Sequence, residues 1–490
     1  MTFAPILAYW CIALWGLVSP RPILLWLTVL SIPFGSLAIV PTTLTAGLTF
    51  TPLTMTALLV CLREFGLHRN GLRFLYRTIT RLDQGLLLVL FLLLATVLTL
   101  FMPRILAGQI VIVPMRPQFF METRALQPTA QNLSQLGYLI ISIGATFAFF
   151  HMLRRPGMPA LLARVWVAGA ILLLATGLLD LLSQFLPLSG VLGLFRTASY
   201  AILANADLQG SQRIIGLMPE ASAFGSTCLL FLSLLYFLRH GLPTAGDRRN
   251  ANIICALLAG FVILSTSSAA YVGLGTLGAL AILDWGRRHR SAGIDAGLRQ
   301  GSFREFTIAA AVFALLCGIV ILSPDVLTPI ADRLQYLLLD KVDSRSYLER
   351  SMWTQVSFAA GIDSHFLGVG LGSTRASNSL AVLFGSTGLL GVLLYYAFVA
   401  QLLLRPIPPE TDRLAAWMVR AVRLAFWPMF VIGLLIGTTA DFGVTTSLQW
   451  GLILAVCAAP RPLSRRGSNL EPDARQQELF DPRPLARQKP

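Results

Sequence analysis

Four short stretches hold the residue types that do chemistry. The first is Arg213-Ile-Ile-Gly216-Leu-Met-Pro219-Glu220-Ala-Ser222. Pro219 suits the position just before a helix start, and Glu220 then falls beside the positive end of the helix dipole. A carboxylate at the edge of an apolar helix is costly unless paired or used. Glu220 is therefore either a capping acid paired with Arg213 or a general base. The second is Asp343-Ser-Arg345-Ser-Tyr347-Leu-Glu349-Arg350-Ser-Met-Trp353. Guanidinium forks grip phosphate oxygens in pairs, which an ammonium does not do. Arg345 and Glu349 also stand at i,i+4 and can simply pair with each other. The third is Gly368-Val-Gly370-Leu-Gly372-Ser-Thr-Arg375-Ala-Ser377-Asn378. It follows a predicted helix and no strand, so it fails the context of a dinucleotide-binding loop. It is either a plain turn or an anion cradle whose N–H groups open the next helix, with Asn378 as its N-cap. The fourth, Ser265-Thr-Ser-Ser268-Ala-Ala-Tyr271, offers hydroxyls for a sugar or small side chains for close helix contact.

The elements that must carry these residues are apolar. The 490 residues are 55% hydrophobic and 12% charged, with a mean hydropathy of +0.71. Soluble domains carry about 25% charge. A spanning helix needs about 20 apolar residues. Thirteen candidate stretches answer that description: 4–19, 23–40, 44–62, 85–101, 135–152, 161–186, 221–239, 251–267, 269–285, 306–323, 380–403, 421–440 and 446–460. Several are short, so twelve is as good a count. The sequence thus predicts an all-α polytopic membrane protein of about 12–13 transmembrane helices, one transmembrane domain over 1–460 and a disordered cytoplasmic tail over 461–490 rich in Pro, Arg, Gln and Asp.

The net charge of +15 does not indicate nucleic acid, because 27 of the 38 Lys and Arg fall in alternate gaps: 63–81, 154–164, 239–249, 287–304, 405–423 and the tail. The positive-inside rule puts those in the cytoplasm. The gaps 102–134, 187–220, 324–378 and 441–445 then face outward, which places Arg196, Arg213, Arg345, Arg350 and Arg375 on one side. The longest, 324–378, is a polar island with a helix expected over 331–358, apolar face down. Of five histidines, only His365 lies outside, a second candidate base after Glu220. Asp180 and Asp441 sit near outer helix ends, as end-of-helix acids or as cavity lining. The six cysteines lie in apolar stretches with no C-x-x-C pair, and no H-E-x-x-H or Ser/His/Asp pattern occurs. No metal and no cofactor are expected. The first apolar stretch lacks a basic leader and a small-residue cleavage site, and is read as a retained helix.

The order of these motifs resembles a known family. Arg213-x-x-Gly216-x-x-Pro219-Glu220 precedes a mid-chain helix, and the Ser/Thr-rich run of 265–271 follows. Then come a large outward loop with Ser344-Arg345 and Trp353, the glycine run ending at Asn378, and the stretch Leu383–Tyr396. Over roughly residues 130–450 the chain resembles the bacterial O-antigen polymerase/ligase superfamily, the Wzy-type polymerases, O-antigen ligases and related glycosyltransferases. The resemblance implies a GT-C-like fold with a large periplasmic loop bearing surface helices, in the bacterial inner membrane, its active site facing the periplasm. It implies an inverting, metal-independent transfer of glycan from an undecaprenyl-pyrophosphate-linked donor to a glycan acceptor. A chain-length regulator and a flippase would be working partners. By motif position Arg213 and Arg345 correspond to arginines thought to hold the pyrophosphate. Arg196, Arg350, Arg375, His365, Gly370, Gly372 and Asn378 complete the expected substrate site. Ligases commonly carry His just before the Asn that follows the glycine run. Ser377 stands there, which leans the reading toward a polymerase that extends O-antigen or exopolysaccharide, with ligase as the alternative. A lipid-linked oligosaccharide or anion transporter is the competing class. It predicts charges inside central helices and repeat symmetry, and neither is evident. A bare scaffold would leave the clustered outward arginines without a purpose.

Overall fold

A computed structural model describes residues 3–40, 49–198, 207–208, 211–291 and 345–458. The expected span 306–323, most of the outward island before Arg345 and the tail 461–490 lie outside the described residues. By contacts the chain divides into two units, Met1–Cys457 and Ala458–Pro490.

The first unit is helical. In chain order it contains α1 (Ala4–Val18), α2 (Ile23–Leu30), α3 (Pro52–Cys61), α4 (Gly71–Ile79), α5 (Leu86–Ile105), α6 (Ala130–Leu153), α7 (Met158–Leu182), α8 (Ser189–Gly193), α9 (Ala221–Leu238), α10 (Ala245–Leu264), α11 (Ser268–Ser291), α12 (Arg345–Asp363), α13 (Ser379–Leu404), α14 (Arg413–Ile436) and α15 (Gly443–Cys457). Two small antiparallel ribbons join them: β1 (Val111–Ile112) with β2 (Arg124–Ala125), and β3 (Asp207–Leu208) with β4 (Ser211–Gln212). Among the described residues, seven helices are long and apolar enough to cross a bilayer: Leu86–Ile105, Ala130–Leu153, Met158–Leu182, Ala221–Gly241, Ser268–His289, Ser379–Leu404 and Arg413–Ile436. α1 and α15 are shorter apolar helices.

Among the described residues, fewer helices are long enough to span than apolar length alone predicts. In the expected span 23–40 the helix stops at Leu30 and the chain turns through Ser31–Ser36. Among the described residues of 44–62, Pro52–Cys61 is α-helical, started by the Thr51 cap and Pro52, and it runs on into a π-helical turn at Leu62–Leu67. Apolar composition measures what a segment is dissolved in, and Pro33 and Gly35 interrupt the span 23–40 before it can form one long helix. The island helix is described from Arg345 to Asp363, so its end lies beyond the expected 358, and the expected stretch 331–344 lies outside the described residues.

Two features fix the bundle. α5 exposes Leu90, Leu93, Val97 and Phe101, a stripe at helical spacing. Such a face is a liability in water and is natural in lipid. Elsewhere small residues let helices meet closely. A Cβ on Gly451 of α15 would lie 2.7 Å from the Phe149 side chain of α6, and Ser447 Oγ donates to Ser142 O at 2.8 Å across the same seam.

Charges segregate to the two ends of the helices. At one end Glu64, fully buried, accepts from Arg155 at 2.6 Å and contacts His151 Nδ1 at 2.6 Å. At that end too Asp284 receives Arg288 and Arg420. At the other end α7, α10 and α14 finish and α9, α11 and α13 begin. All the candidate site segments gather there.

Candidate functional site

The loop before α9 is clamped by a buried ion pair. Arg196 donates to Asp180 Oδ1 at 2.7 Å and to the Gly216 carbonyl at 2.9 Å. The other Asp180 oxygen accepts the N–H groups of Ile215 and Gly216 at 2.8 and 2.9 Å. Gly216 takes φ +58° inside this clamp, where a side chain would also meet Phe224. Asp180 and Arg196 therefore shape the loop that carries Arg213 and Glu220. Arg196, expected on the substrate, makes these contacts through one terminal nitrogen, and its Nε is buried without a partner.

Arg213 then reaches the turn between α10 and α11. Its Nε donates to Thr266 Oγ1 at 3.1 Å, and a terminal nitrogen donates to Thr266 O at 3.0 Å. Thr266 adopts φ +48°, which a β-branched residue rarely does. Strain of this kind persists where the surroundings over-determine it, and it gathers at functional sites. The same Ser/Thr run also makes the close helix contact read from its sequence: a Cβ on Gly225 of α9 would lie 2.5 Å from Ser265 Oγ.

Glu220 is the N-cap residue of α9, yet its side chain caps no backbone N–H. It accepts a short hydrogen bond from Ser222 Oγ and forms no ion pair with Arg213. Of the two sequence alternatives, a capping acid paired with Arg213 is therefore not the arrangement found.

Arg350 lies on α12, five residues after Arg345, the first described residue of that helix. The Arg350 guanidinium is half-buried and makes no hydrogen bond or ion pair among the described residues. Arg375 stacks 4.3 Å above the Trp353 ring of the same helix and donates to Met115 O at 3.3 Å. Its Nε is buried without a partner, and so are Trp353 Nε1 and Thr374 Oγ1. All three atoms can donate a hydrogen bond.

The electrostatics tie the segments into one cluster. Burial pulls the Arg213 guanidinium below its ordinary value. Glu220 opposes that pull and Arg350 adds to it. Arg375 is lowered in the same way, first by burial, with Glu220 again opposing and Arg350 again adding. Arg213 and Arg375, from two chain segments, thus each feel both Glu220 and the Arg350 of a third. Partly desolvated like charges repel, and an anion among them relieves both the repulsion and the lost hydration.

A cleft of about 380 Å³ opens beside the cluster, between the starts of α11, α12 and α13 and the end of α14. Arg350, Tyr347, Thr354, Gln355, Ser268 and Asn378 give it a polar wall, and Val272 with Leu434–Ile436 an apolar one. Asn378 caps α13 as its sequence predicts, its Oδ1 accepting from Leu380 and Ala381 N–H at 2.9 and 3.0 Å.

The glycine run is not an anion cradle. Gly368, Gly370 and Gly372 all take positive φ, but their loop is packed. A Cβ on Gly370 would lie 2.9 Å from the α5 backbone, and one on Gly372 would lie 2.4 Å from Gln131 O. The Gly370 and Leu371 N–H groups already donate to Ser386 O and Thr99 Oγ1. Asn132, at the start of α6, holds Leu371 O and Ser373 Oγ at 2.7 and 2.8 Å. Gly370 and Gly372 therefore shape the packed loop that leads to Arg375. His365 is exposed in the turn beyond Asp363. At about 1.5 Å rise per residue, it stands roughly 20 Å along α12 from Arg350, so it does not share this site.

Sequence reasoning left Thr266 and Trp353 out of the candidate site, although both lay in motifs already singled out. The unusual φ of one and the cation stacking of the other are tertiary facts. Among the described residues no group of three or more His, Cys, Asp or Glu could hold a metal.

Seven long apolar helices and a lipid-facing stripe define a helical, membrane-embedded protein. No protein-family model and no curated protein sequence matches the chain.

Proposed function

We propose that this protein is a membrane glycosyltransferase of the O-antigen polymerase kind, which transfers glycan from an undecaprenyl-pyrophosphate donor to a growing chain. The observation that carries this reading is the cluster of Arg213, Arg350 and Arg375 beside an amphipathic cleft. Its cations suit a diphosphate and its apolar wall suits a polyprenyl tail. The basic helix end, cytoplasmic by the charge rule, lies opposite the cluster, so the site faces the periplasm.

In the proposed reaction an acceptor hydroxyl oxygen attacks the anomeric carbon from the face opposite the leaving group. The new C–O bond forms as the bond from that carbon to the pyrophosphate oxygen breaks, giving inversion. Glu220 takes the hydroxyl proton, and undecaprenyl pyrophosphate departs. Arg213 and Arg345, with Arg350 and Arg375, stabilise the charge growing on the leaving phosphate. Asn378 lines the donor cleft. No metal or cofactor is part of the scheme.

The test is complementation of a deletion strain, read by glycan sizing. Arg213→Ala and Arg345→Ala should abolish long chains at normal protein abundance. Wild-type-length polymer from both variants rejects the role. Deletion that leaves single repeat units on the surface anchor indicates polymerase, whereas loss of all transferred glycan indicates ligase.

A further inference from the structure

A second cavity of about 270 Å³ lies between α13, α14 and α15 and the connection 437–442. Its walls combine two kinds of residue. Tyr395, Phe426, Phe430, Phe442 and Trp450 supply ring faces, with Phe442 and Trp450 4.3 Å apart. Asp441, Gln449, Thr438, Thr439, Thr445 and Thr446 supply polar groups. Asp441 accepts from Ser142 and from the N–H groups of Phe442 and Gly443, and among the described residues no basic side chain acts on this carboxyl. Its Oδ1 is nevertheless buried with no hydrogen-bond partner, an acceptor that a ligand hydroxyl would satisfy.

The cavity adjoins the cationic cleft. Asn378 lines the cleft and its neighbour Ser379 lines the cavity. Leu434–Ile436 line the cleft, and Gly433 and Gly437 line the cavity. The partition is a single crossing of backbone, closed by the Ser377 Oγ hydrogen bond to Leu435 O at 3.1 Å. Glycine keeps that partition thin, since a Cβ on Gly437 would lie 2.8 Å from Ser379.

We propose that the Asp441 cavity is a saccharide subsite, in which one sugar ring of the glycan lies against Phe442 and Trp450 with its hydroxyls on Asp441, Thr445 and Gln449. Pyranose C–H faces suit aromatic rings. Alternating hydroxyls need both donors and acceptors, which threonine, glutamine and carboxylate provide together. An ammonium ligand would use the rings and the carboxylate but would leave the hydroxyl and amide donors idle. The volume suits one ring and not a chain. The assignment deepens the glycosyltransferase reading and rests on it.

Saturation-transfer NMR on the full chain in lipid nanodiscs tests it. The probes are methyl glycosides of common hexoses, 6-deoxyhexoses and N-acetylhexosamines. At least one should receive saturation from the protein. That signal should fall at least tenfold in Asp441→Asn and in Gln449→Leu, and persist in Arg350→Ala. Inorganic pyrophosphate should bind the parent and not Arg350→Ala. Absence of saturation on every glycoside, or a signal indifferent to both cavity variants, overturns the subsite. So does Asp441-dependent binding of tetramethylammonium in place of sugars. Pyrophosphate binding that needs Arg350, without glycoside binding, loses the subsite and keeps the proposed function. Glycoside binding without any pyrophosphate binding keeps the subsite and removes the donor site.

Discussion

At the scale of single residues, two arginines of the same outward group have opposite duties. Arg350 makes no contact that the fold depends on, whereas Arg196 neutralises the buried Asp180. Arg350→Ala should cut chain extension at least tenfold and leave the thermal unfolding midpoint of the purified protein within a degree or two. Arg196→Ala strands a buried carboxylate, at a cost of about 3 kcal/mol or more. Its midpoint should drop sharply, and any activity lost should track the lost protein. Asp441 gives a prediction in pH. Burial pushes its carboxyl up to about 6, against an ordinary value near 4. Tyr395 and Tyr138 face it, with Ser142 donating. The folded state holds this proton more tightly than the unfolded chain, so stability falls as pH rises from about 4 to about 6. Asp441→Asn removes that slope. Melting at pH 4.5 and pH 7 should show the variant gaining more on the parent at the higher pH, while chain extension is lost.

At the scale of elements, the site depends on how α12 and α13 are held. α13 breaks at Gly388, whose φ of +64° and ψ of −169° leave the helix. Its first piece runs beside α12: Ser357 Oγ donates to Ala381 O, and Gly361 leaves room for Phe384. The connection between them must return along the pair. The packed glycine loop makes that return and sets Arg375 over Trp353. Gly372→Ala should therefore cost at least about 2 kcal/mol, from positive φ and a clash with α6, and should appear as poor yield and early melting. Asn378→Ala should cost about 1 kcal/mol through the lost cap, and Asn378→Asp should recover it. The Asn378 cap was legible from sequence because capping is local chemistry. The fate of the glycine N–H groups was not, because their partners Ser386 and Thr99 lie on helices distant in the chain.

At the scale of the whole molecule, charge decides orientation. Single cysteines placed in a cysteine-free background at Gly190 and Ser346 should label from the same side with an impermeant maleimide, and one at Arg249 should label only after permeabilisation. Labelling of Ser346 and Arg249 from one side would remove the common face that the arginine cluster requires.

Composition determined that this chain lives among lipid, because too few charges exist to clothe a soluble fold. The alternation of arginine-rich gaps sorted helix ends into two sets, because that pattern is written along the chain. Which apolar stretches became long helices was decided at Ser31–Ser36, where Pro33 and Gly35 break the run, and at the π-helical turn Leu62–Leu67. Which arginines meet was tertiary. Arg213, Arg350 and Arg375 are separated by up to 162 positions, and only tertiary convergence brings Arg213 and Arg375 under the influence of both Glu220 and Arg350.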